Sequence, residues 1–332
     1  MLEAIKKGIS YNYSYVFTQK ILHFAQILIL ARLLTPYDFG LAAIIILVFG
    51  AANTLFQSGI KKAIIHYQLT DRASLDTGWS FSILRGLCLF VILFFSAPYI
   101  AVFFERNDIV LVTQIIAFNF VIAGFVNMGM LIYTIELKFK KVVIWEFTGF
   151  FLGVIVTIIS AYIFRSYWAI IFGLMTEKIV RCISSYYFSN YRPRFNLDIG
   201  IFLKLFKYGK WMAADKIVSF ATANQDKAFI GKVLGAQTLG LYSITIQLGE
   251  FLSSIYSSLS KVFFPVFSKI HKNSTVDPKK IELYLLLIIS TSIPLVTIIS
   301  FYSEIIVNIL YGEKWIMIGP FLKIFIWASL FK

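Results

Sequence analysis

Three features of the sequence predict an all-α polytopic membrane protein. Hydrophobic residues make up 59% of the 332 residues and charged ones only 14%, where a soluble domain carries roughly a quarter charged. The apolar residues gather in runs of about 20, the length that crosses a bilayer as a helix. Aromatic residues reach 17%, in keeping with Tyr and Trp at two membrane interfaces. A weak internal repeat divides the chain into two helical lobes.

Apolar runs between charged or Pro/Gly breaks give about ten transmembrane helices. They lie near 10–33, 40–60, 79–103, 109–134, 142–163, 167–188, 205–229, 238–266, 281–302 and 315–332. The first run is not a cleavable signal peptide: it holds Lys20 and His23, lacks an A-x-A-like end and leads straight into a second span. Pro98, Pro265 and Pro294 fall within spans, where proline kinks a helix.

Basic residues set the orientation. Lys6 and Lys7, Lys61, Lys62 and Arg72, then Lys138, Lys140 and Lys141 fall on one side of the membrane. Arg192, Arg194, Lys204, Lys207 and Lys210 join them, as do Lys269, Lys272, Lys279 and Lys280. The other side carries fewer: Arg106, Arg165, Lys232 and Lys314, with Arg32 at a span end. The N-terminus is therefore expected in the cytoplasm, in a multi-pass protein of the cytoplasmic membrane.

The repeat has an offset of 200 residues. Arg32-Leu33-Leu34, Gly40-Leu41 and Ile44 align with Lys232-Val233-Leu234, Gly240-Leu241 and Ile244. Six spans per half is even, so both halves enter from the same side and form parallel repeats. The expected lobes are 1–195, with six transmembrane helices, and 196–332, with four. Spans 142–163 and 167–188 should recur near 342–388, beyond Lys332, so the second lobe is expected to be incomplete.

Other functional classes fit poorly. The net charge of +14 does not point to nucleic acid, because the cations punctuate apolar runs instead of forming one basic face. Cys88 and Cys182 lie inside spans and make neither a disulfide framework nor a metal site. His23 and His271 have no partners at ligand spacing, so no metal is expected. There is no G-x-x-x-x-G-K-[ST] loop and so no ATP hydrolysis by that route. His66 and Asp71 form an H-x-x-x-x-D pattern, in which His could act as general base and Asp orient it. It sits in a short loop with no catalytic domain around it, and no D-x-D pair accompanies it; an enzyme is not expected.

Several segments together resemble the polysaccharide and O-antigen flippases of the multidrug/oligosaccharidyl-lipid/polysaccharide exporter superfamily. They are Ala31–Ile44 (ARLLTPYDFGLAAI), Leu75–Gly86 (LDTGWSFSILRG), Tyr167–Gly173 (YWAIIFG), Arg192–Phe195 (RPRF) and Tyr208–Trp211 (YGKW). Asp226–Ile244 (DKAFIGKVLGAQTLGLYSI), Phe263–Ile270 (FFPVFSKI) and Leu310–Trp315 (LYGEKW) complete the set, in order along nearly the whole chain. The resemblance implies two six-helix lobes around a central cavity that opens alternately to either side of a bacterial inner membrane. It implies an undecaprenyl-diphosphate-linked oligosaccharide as cargo, for O-antigen, lipopolysaccharide or other polysaccharide biosynthesis. Membrane lipids, a polysaccharide polymerase and glycosyltransferases are the partners that go with that role. Such proteins usually have twelve or more spans, and this chain's ten depart from the pattern.

The candidate site residues are polar groups inside spans, each costing on the order of 2.5–3.5 kcal/mol on insertion scales. Asn12, Gln19, His23 and Gln26 fall within an arc of about 60° on a helical wheel. Asp215, Ser219, Thr222 and Asp226 repeat the stripe 200 residues later. Both stripes can line one central space; polar bonding between packed helices is the alternative. Lys20, Arg85, Lys178, Arg181 and Lys216 are the candidate cations for a phosphate headgroup, with Arg offering a planar fork and Lys a point charge. Snorkelling to the interface is the competing reading for Arg85, Arg181 and Lys261, and Glu177 is placed to pair with Arg181 four residues on.

No cofactor is expected beyond H⁺ or Na⁺ as a coupling ion. Glu146, Glu250, Asp215 and Asp226 are the carboxylates that could load one, Glu250 being the best placed of them in mid-span. The leading expectation is a lipid-linked oligosaccharide flippase. A multidrug-type cation antiporter on the same architecture, or a non-transporting scaffold or inactive fragment, are the alternatives.

Overall fold

A computed structural model describes residues 2–55 and 59–251, positions 286, 290, 293 and 294, and residues 296–329. The chain forms two compact units, Met1–Leu239 and Gly240–Lys332. Among the described residues of the first, the helices up to Val233 are α1 (Leu2–Leu33), α2 (Pro36–Leu55), α3 (Ile60–His66), α4 (Arg72–Phe104), α5 (Ile109–Gly124), α6 (Met130–Ile135), α7 (Phe139–Phe164), α8 (Trp168–Phe188) and α9 (Ile199–Val233).

Among the described residues, Ser14–Leu33, Pro36–Thr54, Arg72–Phe104 and Phe139–Phe164 are long and apolar enough to cross a membrane, and Ile109–Gly124 is a shorter apolar helix. Their outer faces carry large apolar side chains that a water-soluble protein would hide. Tyr99 is 79% exposed, Val102 73% and Tyr162 71%, which marks these faces as lipid-covered. Expected spans one, two, three and five fall on four such helices, α1, α2, α4 and α7, while expected spans six and seven fall on α8 and α9, which are helical but not among those four. Pro98 lies inside α4.

The expected fourth span, 109–134, is broken after Gly124. The buried Asn127 causes the break by bonding two backbone groups through its side chain and a serine hydroxyl through its own N–H. Its Oδ1 accepts from Gly129 N–H at 2.8 Å, its Nδ2 donates to the Tyr191 carbonyl at 2.7 Å, and its own N–H donates to Ser185 Oγ at 3.0 Å. These bonds compete with the helical ladder, as Asn side chains do at turns, and α6 follows as a separate short helix.

Between α8 and α9 the chain runs extended along the first turns of α4, and polar residues of α4 satisfy it. Asp76 accepts from the Tyr191 hydroxyl and from Arg194 N–H (2.9 Å), Ser80 Oγ from Asn196 N–H (2.9 Å), and Thr77 Oγ1 from Asp198 N–H (3.3 Å). Arg72 flanks Asp76 at 3.5 Å. Burial, then the hydrogen bond to Asp76 and its charge, hold the Tyr191 phenol above its ordinary range. The LDTGWSFS stretch of α4 and the RPRF stretch of the linker are thus two halves of one interaction.

Helix α2 starts with a capping box: Thr35 Oγ1 accepts from Asp38 N–H (3.2 Å), and Asp38 Oδ2 accepts from Thr35 N–H (3.0 Å). The other carboxylate oxygen of Asp38 accepts from Tyr167 N–H at 3.1 Å, tying the start of α8 to that of α2. At the end of α4, Glu105 pairs with Lys232 of α9 at 2.7 Å, and that bond first, then the lysine's charge, hold the exposed Glu105 carboxyl below the usual range.

Helix α9 packs on α2 and α3 by backbone approach. Gly59 adopts φ +64° with its Cα against Gly209, a conformation glycine takes without steric cost. Leu205 of α9 joins Ile60, Ala63, Ile64, Leu75 and Met128 in a buried cluster.

In the second unit, residues 235–251 belong to a helix that enters it, and residues 296–301 are helical. Ser303–Tyr311 is an α-helix, Glu313–Ile318 a 3₁₀ turn and Gly319–Ser329 an α-helix. The LYGEKW stretch forms the corner: Gly312 turns at φ +95° and Trp315 is fully buried. Lys323 pairs with Glu304 at 3.4 Å across it. Pro265 and the central parts of expected spans eight and nine lie outside the described residues.

Candidate functional site

Helix α8 carries three charged residues close together, Glu177, Lys178 and Arg181. They form a charged stripe in which Glu177 and Arg181 lie against α7. Glu177 Oε1 lies 3.1 Å from Arg181 Nη2 and 3.6 Å from Lys178 Nζ. Their side chains are 17% (Glu177), 22% (Arg181) and 32% (Lys178) exposed.

Helix α7 is shaped around this stripe. A Cβ on Gly149 would collide with Arg181 Cγ, and one on Gly153 would press on Glu177 Cβ at 3.1 Å. Trp145 Nε1 donates to the Arg181 carbonyl at 2.9 Å. Small residues that let helices approach closely are how membrane helices associate, because apolar burial drives little between them. Here the same glycines leave room for two charged side chains.

Other elements bring further groups to the stripe. Tyr15 of α1 feels the charges of Glu146 (α7), Arg181 and Glu177, and His23, two turns further along α1, feels Glu177. Lys61 of α3 feels Arg85 of α4 and Lys178 of α8. The cluster therefore holds Lys61, Arg85, Lys178 and Arg181 against Glu146 and Glu177, an excess of positive charge.

Both His23 and Lys61 are exposed by surface area and yet densely surrounded by protein atoms. For Lys61, which lies outside the apolar spans, dehydration by the surrounding protein first, then the charges of Arg85 and Lys178, push the ammonium down to about 8.

Of the residues singled out in the sequence, Arg85, Lys178, Arg181 and His23 are brought together. Lys20 is exposed on α1, and Gln19 and Gln26 are half-buried. On α9, Lys216, Asp215, Ser219 and Thr222 are exposed, and Thr222 Oγ1 donates back to the Val218 carbonyl at 2.9 Å. Asp226 is half-buried and its Oδ1 accepts from Lys227 N–H at 2.8 Å. Glu250 is exposed in the second unit, and the side chain of Asn12 lies outside the described residues.

Lys61, Tyr15 and Trp145 carry roles that sequence reading did not give them. Lys61 served there only to set orientation, because a loop lysine looks solvated until α3 folds back against α4. The H-x-x-x-x-D pattern has structural roles: His66 stacks on Tyr208 with ring centroids 4.5 Å apart, and Asp71 caps α4 by accepting from Ser74 N–H at 2.9 Å. Among the described residues no group of three or more His, Cys, Asp and Glu is placed to hold a metal ion. A membrane-facing groove of ≈ 590 Å³ lies apart from the charged stripe, between Ile29, Arg32 and Leu33 of α1 and Ile158, Ile159, Tyr162 and Ile163 of α7.

The described helices define a class of protein, a polytopic α-helical membrane protein. Comparison with known proteins is consistent with that class. The chain belongs to the polysaccharide biosynthesis protein family, whose model matches residues 29–320. It is 24% identical over 304 residues to the lipopolysaccharide biosynthesis protein WzxC of Escherichia coli (strain K12), covering 90% of this chain and 61% of that protein. It is 21% identical over 304 residues to the succinoglycan biosynthesis transport protein ExoT of Rhizobium meliloti (strain 1021), covering 91% of this chain and 61% of that one. The chain thus spans 61% of the length of each of these relatives. Its fold is that of a multidrug resistance MATE family transporter of the MOP superfamily, solved in an inward-facing conformation. The TM-score is 0.59 at 14% identity, over 94% of this chain and 78% of that one.

Proposed function

We propose that the protein translocates an undecaprenyl-diphosphate-linked oligosaccharide across the bacterial cytoplasmic membrane, by alternating access between two lobes divided near 195/196. The observation that carries this reading is the cationic cluster in which Lys61, at one end of the apolar helices, joins Arg85, Lys178 and Arg181. Lone cations in hydrocarbon cost several kcal/mol and mark ion or substrate pathways. Two arginines and two lysines around a hollow match the many oxygens of a diphosphate. A cationic drug would be repelled by the same groups, which argues against the antiporter reading.

In this reading the N-terminus is cytoplasmic. The start of α4, the 189–198 linker and α3 then lie on the cytoplasmic side with most of the loop lysines and arginines. Cargo enters from the inner leaflet, beside Lys61, and its headgroup moves along α8. The stripe on α9 (Ser219, Thr222, Lys216, Asp215) supplies the facing wall, and Lys20, Gln19 and Gln26 extend the wall on α1. Glu250, Asp215 or Asp226 carries the coupling proton or sodium ion.

Reconstitution in vesicles tests the reading. Wild-type protein is expected to move a fluorescent polyprenyl-diphosphate glycan between leaflets, and Arg85→Gln with Lys178→Gln to stop it while the protein still inserts and folds. Unimpaired movement by that double variant would overturn the assignment of the site. Insensitivity to ionophores would overturn the coupling.

A further inference from the structure

We infer that Glu177 is an internal counter-anion: it holds Arg181 and Lys178 while the hollow is empty and yields them to the cargo's diphosphate, so it governs release of the headgroup more than capture. This rests on the reading of the hollow as a diphosphate site and assigns within it a role to a carboxylate.

One oxygen carries both contacts, 3.1 Å to Arg181 Nη2 and 3.6 Å to Lys178 Nζ. A single carboxylate shared by two cations leaves positive charge over, so the arrangement attracts an anion without being neutralised beforehand. The Nε of Arg181 is buried against Gly149 of α7 and has no hydrogen-bond partner, so the guanidinium meets an anion with its Nη edge, the edge that Glu177 also holds. A diphosphate presenting several oxygens competes with the carboxylate for that edge.

The pair is also constrained from behind. Gly149 and Gly153 allow the Arg181 stem and the Glu177 Cβ to lie flat on α7, and Trp145 fixes the α8 backbone at Arg181. Arg181 is held beside Glu177, so carboxylate and cargo compete for it in one place. A transport site must bind well enough to load and loosely enough to unload. Four cations with nothing to compete would fail the second condition. An i,i+4 ion pair on a helix can be merely structural, and that role predicts the opposite sign in the experiment below.

The test measures binding of farnesyl diphosphate to the whole protein in nanodiscs by calorimetry, with farnesol as the neutral control, alongside glycolipid flipping in vesicles. Glu177→Gln is expected to bind farnesyl diphosphate about tenfold more tightly, a shift of about 1.4 kcal/mol, and to flip more slowly because release is delayed. Glu177→Asp keeps the charge on a shorter arm and is expected to fall between the two in affinity. Affinity of Glu177→Gln equal to or weaker than wild type, with wild type preferring the diphosphate over farnesol, overturns the counter-anion and leaves the headgroup site standing. Wild type that does not distinguish the two probes overturns both. Should Glu177→Gln fail to fold, Glu177→Asp decides alone: affinity no greater than wild type overturns the proposal.

Discussion

The backbone N–H of Arg194 donates to Asp76 Oδ1 at 2.9 Å, joining positions 118 residues apart, and the Tyr191 hydroxyl donates to the same carboxylate oxygen. Asp76 is 4% exposed, so removing its carboxylate takes a buried acceptor from both donors at once. Hydrogen bonds to charged groups contribute roughly 1.5–3 kcal/mol each. Asp76→Ala is therefore expected to destabilise the protein by about 2–4 kcal/mol, and Tyr191→Phe by about 1 kcal/mol. Thermal unfolding in detergent would show the order; equal effects would mean that the linker is not held by this residue.

Lys61 gives a pH dependence whose sign is fixed by its depressed pKa. Held to about 8 against an ordinary 10.5, it is charged below that value and neutral above it, while an unfolded lysine stays charged to near 10.5. Between those limits the unfolded chain binds more protons, so this group's contribution to stability rises with pH through the window. Anion binding runs the other way, because the hollow loses a positive charge as pH climbs past about 8. Affinity for farnesyl diphosphate is expected to fall between pH 7 and pH 9, and Lys61→Gln to remove most of that fall. A wild-type profile flat over this range would place Lys61 outside the binding hollow.

The legible part of this fold is what period and length encode. Apolar runs gave the long helices, because a hydrocarbon span needs about 20 residues whatever surrounds it. The sequence also carried the ends: Thr35-Pro36-Tyr37-Asp38 is a capping box in plain residues. The break after Gly124 was hidden, since it depends on Asn127 finding Tyr191 and Ser185, 64 and 58 residues away. At the site, Arg85, Lys178, Arg181 and His23 stood out because ionisable groups inside apolar runs are expensive. Lys61 did not, for the opposite reason: its neighbours in sequence are those of an ordinary loop, and only the tertiary approach of α3 to α4 and α8 gives it a charged environment. The boundary between compact units, after Leu239, follows the packing of α9 on α2 and α3, which no local pattern announces.

Gly149 connects helix packing to function. A leucine there would meet Arg181 Cγ and the Glu177 carbonyl oxygen, the latter at 3.1 Å from Cβ alone. Overpacking of this kind costs roughly 1–3 kcal/mol, and the α7–α8 pair has a large contact surface to absorb it. Gly149→Leu is expected to fold with a lowered melting temperature and to lose flipping nearly completely, because Arg181 is displaced. Gly149→Ala is expected to lose part of the activity. Full activity in the leucine variant would show that the position of Arg181 does not matter.

The contact between α2 and the helix that follows α9 makes the last prediction, a contrast between two glycines. A Cβ on Gly40 would fall within the Ala236 carbonyl oxygen, and backbone on both sides cannot yield without separating the helices. A Cβ on Gly231 would meet Leu239 Cδ2 at 3.1 Å and Phe104 Cε1 at 3.3 Å, which are the ends of side chains and can rotate. Gly231→Ala is therefore expected to cost about 1 kcal/mol, the low end of overpacking. Gly40→Ala should exceed about 3 kcal/mol and sharply reduce the folded fraction recovered by size-exclusion chromatography. If the two variants behave alike, α2 and that helix are not in backbone contact, and the glycine in the ARLLTPYDFG stretch serves only the entry of α2.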